Sequence, residues 1–152
     1  MSDHISNVDF IEVMQECFQR DQSVVFTPSG VSMLPMLGAE DDFVTLSPKP
    51  DRLKKYDVAL YVRPKTQQLV LHRMIGFTKA GDYIFSGDNQ YYYEYGIGEE
   101  DVLALMTAFR HNGKDILPDD PAYRRYIRRM MLKKRFHMLL RKGYRRIFKN
   151  RK

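Results

Sequence analysis

The chain has no tryptophan, a single cysteine (Cys17) and no acidic residue beyond Asp120. Each shortage excludes something. One thiol cannot build an internal disulfide framework, and it points to a reducing compartment. The four histidines (His4, His72, His111, His137) are scattered, which argues against a Cys/His metal site, and no cofactor is expected. No apolar run approaches the roughly 20 residues that span a bilayer. The first seven residues are polar and include Asp3, so they do not read as a secretory signal peptide.

What is present is lopsided. Of 152 residues 43% are hydrophobic, enough for a core, and the net charge is +6. All 19 acids lie at or before Asp120, while 14 of the 25 Lys and Arg fall between Tyr123 and Lys152. The remainder carries 11 bases against those 19 acids. An acidic body is thus joined to a strongly basic tail, a split that suits an anionic surface as partner.

The organisation follows three segments: 1–22, 23–117 and 118–152. Phe10, Ile11, Met14, Cys17 and Phe18 recur at helical spacing, with Ser6 as N-cap and Asp9 in the first turn, so an amphipathic helix is expected over 6–20. Short strands are expected at 23–27, 43–46, 58–63, 68–77, 83–86 and 102–111. Turn signals separate them, among them Pro64-Lys65, Ala80-Gly81-Asp82 and the hairpin dipeptide Asn112-Gly113. Strands this short and close predict a mainly β fold, a coiled antiparallel sheet or small barrel. Asp119 or Asp120 can cap a final helix with Pro121 at its first position. That helix is expected over 122–148, broken if anywhere at Gly143.

Two segments carry chemistry. Pro28-Ser29-Gly30-Val31-Ser32-Met33-Leu34-Pro35 presents a hydroxyl beside a flexible glycine. Leu71-His72-Arg73-Met74-Ile75-Gly76 presents one imidazole in an apolar strand. A serine hydroxyl needs a base to take its proton, and histidine suits neutral pH. A glycine two residues before Ser32 lets a substrate carbonyl approach backbone N–H donors.

The order of the motifs adds to this. Ser29-Gly30-Val31-Ser32-Met33-Leu34-Pro35-Met36-Leu37 resembles the S-G-x-S-M-x-P-x-L nucleophile box of the signal peptidase I clan. Tyr56-Asp57-Val58-Ala59-Leu60-Tyr61-Val62 resembles its G-D strand, with Tyr56 in place of Gly. His72-Arg73 resembles the base segment. Phe85-Ser86-Gly87-Asp88-Asn89 is similar to the G-D-N box. Glu100-Asp101-Val102-Leu103-Ala104-Leu105 is similar to the following strand, with Ala104 in place of Gly. The resemblance covers about residues 23–116. A histidine followed by arginine is the pattern of the endoplasmic-reticulum, archaeal and sporulation-type enzymes, whereas leader peptidases and SOS repressors use lysine.

The resemblance implies a serine endopeptidase acting on a peptide or leader-like precursor. Ser32 would be the nucleophile and His72 the general base. Asp88 is the first choice for the acid that orients His72, with Glu94 second. Gly30, Ser29 and Met33 are the oxyanion or substrate-binding positions, with backbone N–H groups, including that of Ser32, as the expected donors. The clan's usual transmembrane anchor has no counterpart before Ser32, so a cytoplasmic enzyme is expected, peripheral on the inner face of the membrane. The alternative is an inactive peptidase-like module that binds a peptide, a membrane surface or nucleic acid. The tyrosines Tyr91, Tyr92, Tyr93 and Tyr95 would rim a peptide groove or simply pack.

The tail leaves three uses open. Aromatics interleaved with Arg and Lys fit an interfacial helix on anionic lipid, each base contributing on the order of 1 kcal/mol. They also fit phosphate contacts with nucleic acid or recruitment of an acidic precursor peptide; the plain alternative is a solvated segment that packs on the acidic body.

Overall fold

The computed structural model describes residues 6–38 and 40–149. Chain contacts divide it into two units, Met1–Pro118 and Asp119–Lys152.

The first unit opens with α1 (Asn7–Gln19). The Ser6 hydroxyl accepts the Asp9 N–H at 3.2 Å, satisfying one of the donors that a helix start leaves bare. The helix ends where Asp21 takes a positive φ of 55° and the Gln22 N–H returns to the Cys17 carbonyl at 3.0 Å, a left-handed cap. Phe10 packs on Phe26, ring centroids 5.2 Å apart.

Eight strands follow: β1 (Val24–Phe26), β2 (Phe43–Pro48), β3 (Val58–Val62), β4 (Leu69–Phe77), β5 (Tyr83–Ser86), β6 (Glu94–Ile97), β7 (Val102–His111) and β8 (Lys114–Ile116). They form one sheet in the order β1-β2-β7-β3-β4-β5-β6, with β8 beside β7. Every pairing is antiparallel. Among the described residues the sheet does not close, and β1 and β6 are its end strands. The fold is therefore mainly antiparallel β with one helix at each end of the chain.

The elements differ from the expected ones in detail. Neither β6 nor β8 is among the expected strands, and β1, β3 and β4 are shorter by one or two residues. β2 runs two residues further than 43–46, to Pro48. The final helix α2 spans Pro121–Lys149 without a break at Gly143, a position where glycine costs only about 1 kcal/mol relative to alanine. Asp120 caps it, its carboxylate accepting the N–H groups of Ala122 at 2.7 Å and Tyr123 at 3.2 Å. The β7–β8 hairpin turns on Asn112 and Gly113 with φ of 49° and 74°, the double positive φ that a two-residue hairpin favours.

The core of the first unit rests on one face of β3, β4 and β5. Ala59, Tyr61, Met74, Tyr83 and Phe85 pack there with Leu53, Ile97 and Val102. Tyr61 stacks on Phe85 at 4.4 Å between centroids, a contact contributing about 0.5–1.5 kcal/mol beyond its buried area.

Candidate active site

Strand parity decides which acid meets the histidine. Residues directly opposite across paired strands share a face, and neighbours along a strand alternate. His72 lies opposite Ala59 and Tyr61 opposite Val70, so Tyr61 and His72 are diagonal neighbours on one face. Met74, two residues on, lies opposite Phe85, and Phe85 lies opposite Glu94. The register of four strands thus carries Glu94 to the face of His72. Arg73 points the other way, opposite Val58 and Ser86. Asp88, two residues past Ser86, joins Arg73 there.

The contacts follow this geometry. Glu94 Oε1 lies 3.1 Å from His72 Nδ1. The Tyr61 hydroxyl is 3.2 Å from the same nitrogen and donates to Glu94 Oε2 at 3.0 Å. Arg63 holds the carboxylate with two charge-assisted hydrogen bonds, Nε to Oε2 at 2.7 Å and Nη2 to Oε1 at 2.6 Å. A carboxylate beside Nδ1 calls for a proton on that nitrogen, and in the neutral ring Nε2 then carries the lone pair that a general base needs. His72 is only 1% exposed, so few other partners compete for its ring.

Burial alone would raise the Glu94 carboxyl. The hydrogen bonds from Arg63, then from His72 and Tyr61, overcome that and hold it down at about 2. The acid is therefore ionised at any physiological pH. Tyr61 is pushed well above the ordinary phenol range, first by burial and then by the neighbouring Glu94 charge. It stays a neutral hydroxyl placed between Glu94 and His72.

Asp88, the first choice from sequence for orienting His72, has a different principal contact. It takes a two-pronged bond from Arg73, Nε to Oδ1 and Nη2 to Oδ2, both 2.8 Å. Both side chains are fully buried. Arg73 Nη1 also donates to the Tyr56 carbonyl at 2.9 Å, and Nη2 reaches Met36 Sδ at 3.2 Å. Arg73 therefore ties the 87–90 turn, through Asp88, to the 56–57 corner and the Ser32 loop. The acid at the imidazole is Glu94.

The Ser32 loop is pinned at both ends. Met33, Met36 and Leu37 are buried, and the Leu37 N–H bonds to the Met33 carbonyl at 3.1 Å. The Leu34–Pro35 bond is cis. From the other side, the Asn89 N–H donates to the Ser32 carbonyl at 2.8 Å, and Asn89 Nδ2 donates to the Val31 carbonyl at 3.1 Å. This approach is so close that a Cβ on Gly87 would meet the Ser32 carbonyl oxygen at 2.6 Å, so only glycine fits there. Gly30 has φ of +92°, which side-chain-bearing residues rarely adopt.

Ser32 and His72 line one cleft of about 440 Å³, together with Ser29, Gly30, Met33, Arg63 and Tyr92. Its lining mixes apolar side chains such as Phe26, Leu60 and Val70 with the polar Asn7, Gln68 and Gln90, and polar surface predominates. Of the sequence candidates, Ser32, His72, Ser29, Gly30 and Met33 share this cleft, and Glu94 stands behind His72. Of the tyrosine run, Tyr92 lines the cleft. Among the described residues, no group of three or more His, Cys, Asp or Glu is placed to hold a metal ion.

Tyr61, Arg63, Gly87 and Asn89 were not singled out as site residues from sequence. The signal for the first two was alternation: Ala59, Tyr61 and Arg63 follow the period of β3 and share its face with His72. No protein-family model, curated protein or solved structure matches the chain.

Proposed function

We propose that the chain is a serine hydrolase of the endopeptidase type, with Ser32 as nucleophile, His72 as general base and Glu94 as the acid that orients and stabilises the imidazole. The observation that carries this reading is the Glu94–His72 Nδ1 contact of 3.1 Å behind a cleft that Ser32 and His72 both line. A structural histidine needs no ionised, arginine-clamped carboxylate on one nitrogen and a ligand-sized cleft beside the ring.

The chemistry runs as an acyl transfer. Ser32 Oγ forms a bond to the scissile carbonyl carbon as His72 Nε2 takes the hydroxyl proton. The oxyanion is met by backbone N–H groups of the loop at Gly30 and Ser32. His72 then gives its proton to the leaving amine as the C–N bond breaks. Water, deprotonated by His72, attacks the acyl carbon, the bond from that carbon to Ser32 Oγ breaks, and His72 returns the proton to Ser32 Oγ. Glu94 remains ionised throughout and stabilises the imidazolium that forms twice.

The substrate proposed is an extended peptide segment, such as the leader of a precursor, and three features support kinship with the signal peptidase I clan. The five motif segments follow in order along the chain, the first in the connection from β1 to β2 and the other four on or beside β3, β4, β5 and β7. Tyr56, standing where the clan has glycine, adopts φ of 81°, the backbone that a glycine would take freely. Gly87 and Asn89 of the G-D-N box dock on the carbonyls of the Ser32 loop, coupling that box to the nucleophile.

The test is labelling with a fluorophosphonate probe and mapping of the modified residue by mass spectrometry. The expected adduct is on Ser32 and is absent in Ser32→Ala and His72→Ala. A folded protein that takes no label would leave the cleft as a peptide-binding groove.

A further inference from the structure

The basic tail has a second surface that catalysis does not use. Leu132, Phe136, Leu139 and Leu140 lie at i, i+4, i+7 and i+8 on α2, one face of a helix. They are 65%, 65%, 67% and 57% exposed. The face is about 12 Å long at 1.5 Å per residue. Exposed bases at Arg128, Lys133 and Arg135 flank it, and no acid occurs anywhere from Tyr123 to the C-terminus.

We propose that α2 is an interfacial anchor that lies flat on an anionic lipid surface, with this stripe below the headgroups and the flanking bases on their phosphates. The inference is independent of the hydrolase reading, because it uses none of the cleft residues. Charge complementarity selects the occupant. Fourteen bases without an acid attract any polyanion, but phosphate contacts on nucleic acid neither require nor reward four bare apolar side chains in a row. A second copy of the helix would cover the stripe but would bring like charges together. Lipid satisfies both faces at once, as amphipathic basic helices do. Among the described residues no helix is long and apolar enough to cross a membrane, so the helix would lie on the bilayer and not span it.

The absence of tryptophan provides the experiment. Phe136→Trp places one indole in the stripe of the otherwise unaltered full chain. The chain is mixed with vesicles of phosphatidylcholine containing about 30% phosphatidylglycerol, and with phosphatidylcholine alone, which separates the anionic surface from bare hydrocarbon. The expected result is co-sedimentation with the anionic vesicles and a blue-shifted indole. Leu132→Ser with Leu139→Ser should weaken binding by about tenfold or more, with circular dichroism unchanged. Three results would overturn the proposal. One is no binding. Another is binding with an unshifted indole, indifferent to Leu139→Ser and competed away by duplex DNA, which would assign the tail to nucleic acid. The third is a stable dimer in lipid-free buffer that Leu139→Ser dissociates, which would assign the stripe to a second copy.

Discussion

The two faces of β4 hold the same kind of pair and use it differently. On one, His72 meets Glu94 beside a cleft. On the other, Arg73 meets Asp88 with both side chains sealed from water. Adjacent residues, each facing a carboxylate, diverge because strand parity sends them to opposite sides. The Arg73 side is a knot: a permanent cation, a two-pronged bond and three loops tied to it. The His72 side is a relay: a titratable ring, a neutral hydroxyl and an acid held ionised by Arg63. Burial serves rigidity on one face and, in the proposed hydrolase, proton transfer on the other.

The comparison can be broken most forcibly at the knot. Arg73→Ala leaves the Asp88 carboxylate buried without its cation and should lower unfolding free energy by about 3–5 kcal/mol in urea titrations. Replacing both partners by apolar residues of similar volume should restore most of that loss. A single variant as stable as wild type would mean that Arg73 is not the organising cation.

Acid probes the relay. Glu94 sits near 2 in the folded chain against an ordinary 4.5. A depressed carboxyl stabilises the fold above its unfolded value and loses that contribution as pH falls. Stability should decline between pH 4.5 and about 2. The part due to Glu94 has a slope of at most about 1.4 kcal/mol per pH unit. Glu94→Gln should remove that part of the slope. An unchanged acid limb in the variant would contradict the assignment of the low value to Glu94.

Gly87→Ala sharpens the coupling between the faces. Its methyl would collide with the Ser32 carbonyl and should cost about 1–3 kcal/mol as overpacking. It should also slow fluorophosphonate labelling of Ser32 in the folded fraction. The smallest effect is expected for Tyr61→Phe. It removes one hydrogen bond to Glu94 but leaves the Arg63 clamp, so stability should fall by about 1 kcal/mol. Differential scanning calorimetry resolves both.

Much of this architecture can be read along the chain, and the reason is local. Short apolar runs bounded by turn residues mark β4 and β7, and the bounds expected for β5 and β7 coincide with those observed. Ser6, Asp120, Pro121 and Asn112-Gly113 act through neighbours two to four residues away, within reach of pattern reading. β6 escapes because it is four residues, includes Gly96 and follows three tyrosines. It pairs with β5 at only two register positions, around an irregularity. The choice between Asp88 and Glu94 escapes for the same reason. It depends on how Phe85 aligns with Glu94, a long-range register with no signature in either segment. Tyr61 and Arg63 could not be separated from ordinary strand residues until that register put Glu94 against them.

The central claim is that Glu94, and not Asp88, serves His72 as the proposed general base. Its most direct test is the second-order rate of fluorophosphonate acylation in wild type, Glu94→Gln and Asp88→Asn, each measured where circular dichroism shows the chain folded. The account predicts a loss of about 10³–10⁴-fold in Glu94→Gln, the scale expected when the orienting acid of a serine–histidine pair is neutralised. Asp88→Asn should be less stable yet label at nearly the wild-type rate. Fast acylation of Glu94→Gln together with a collapse in folded Asp88→Asn would contradict it and return the orienting role to Asp88.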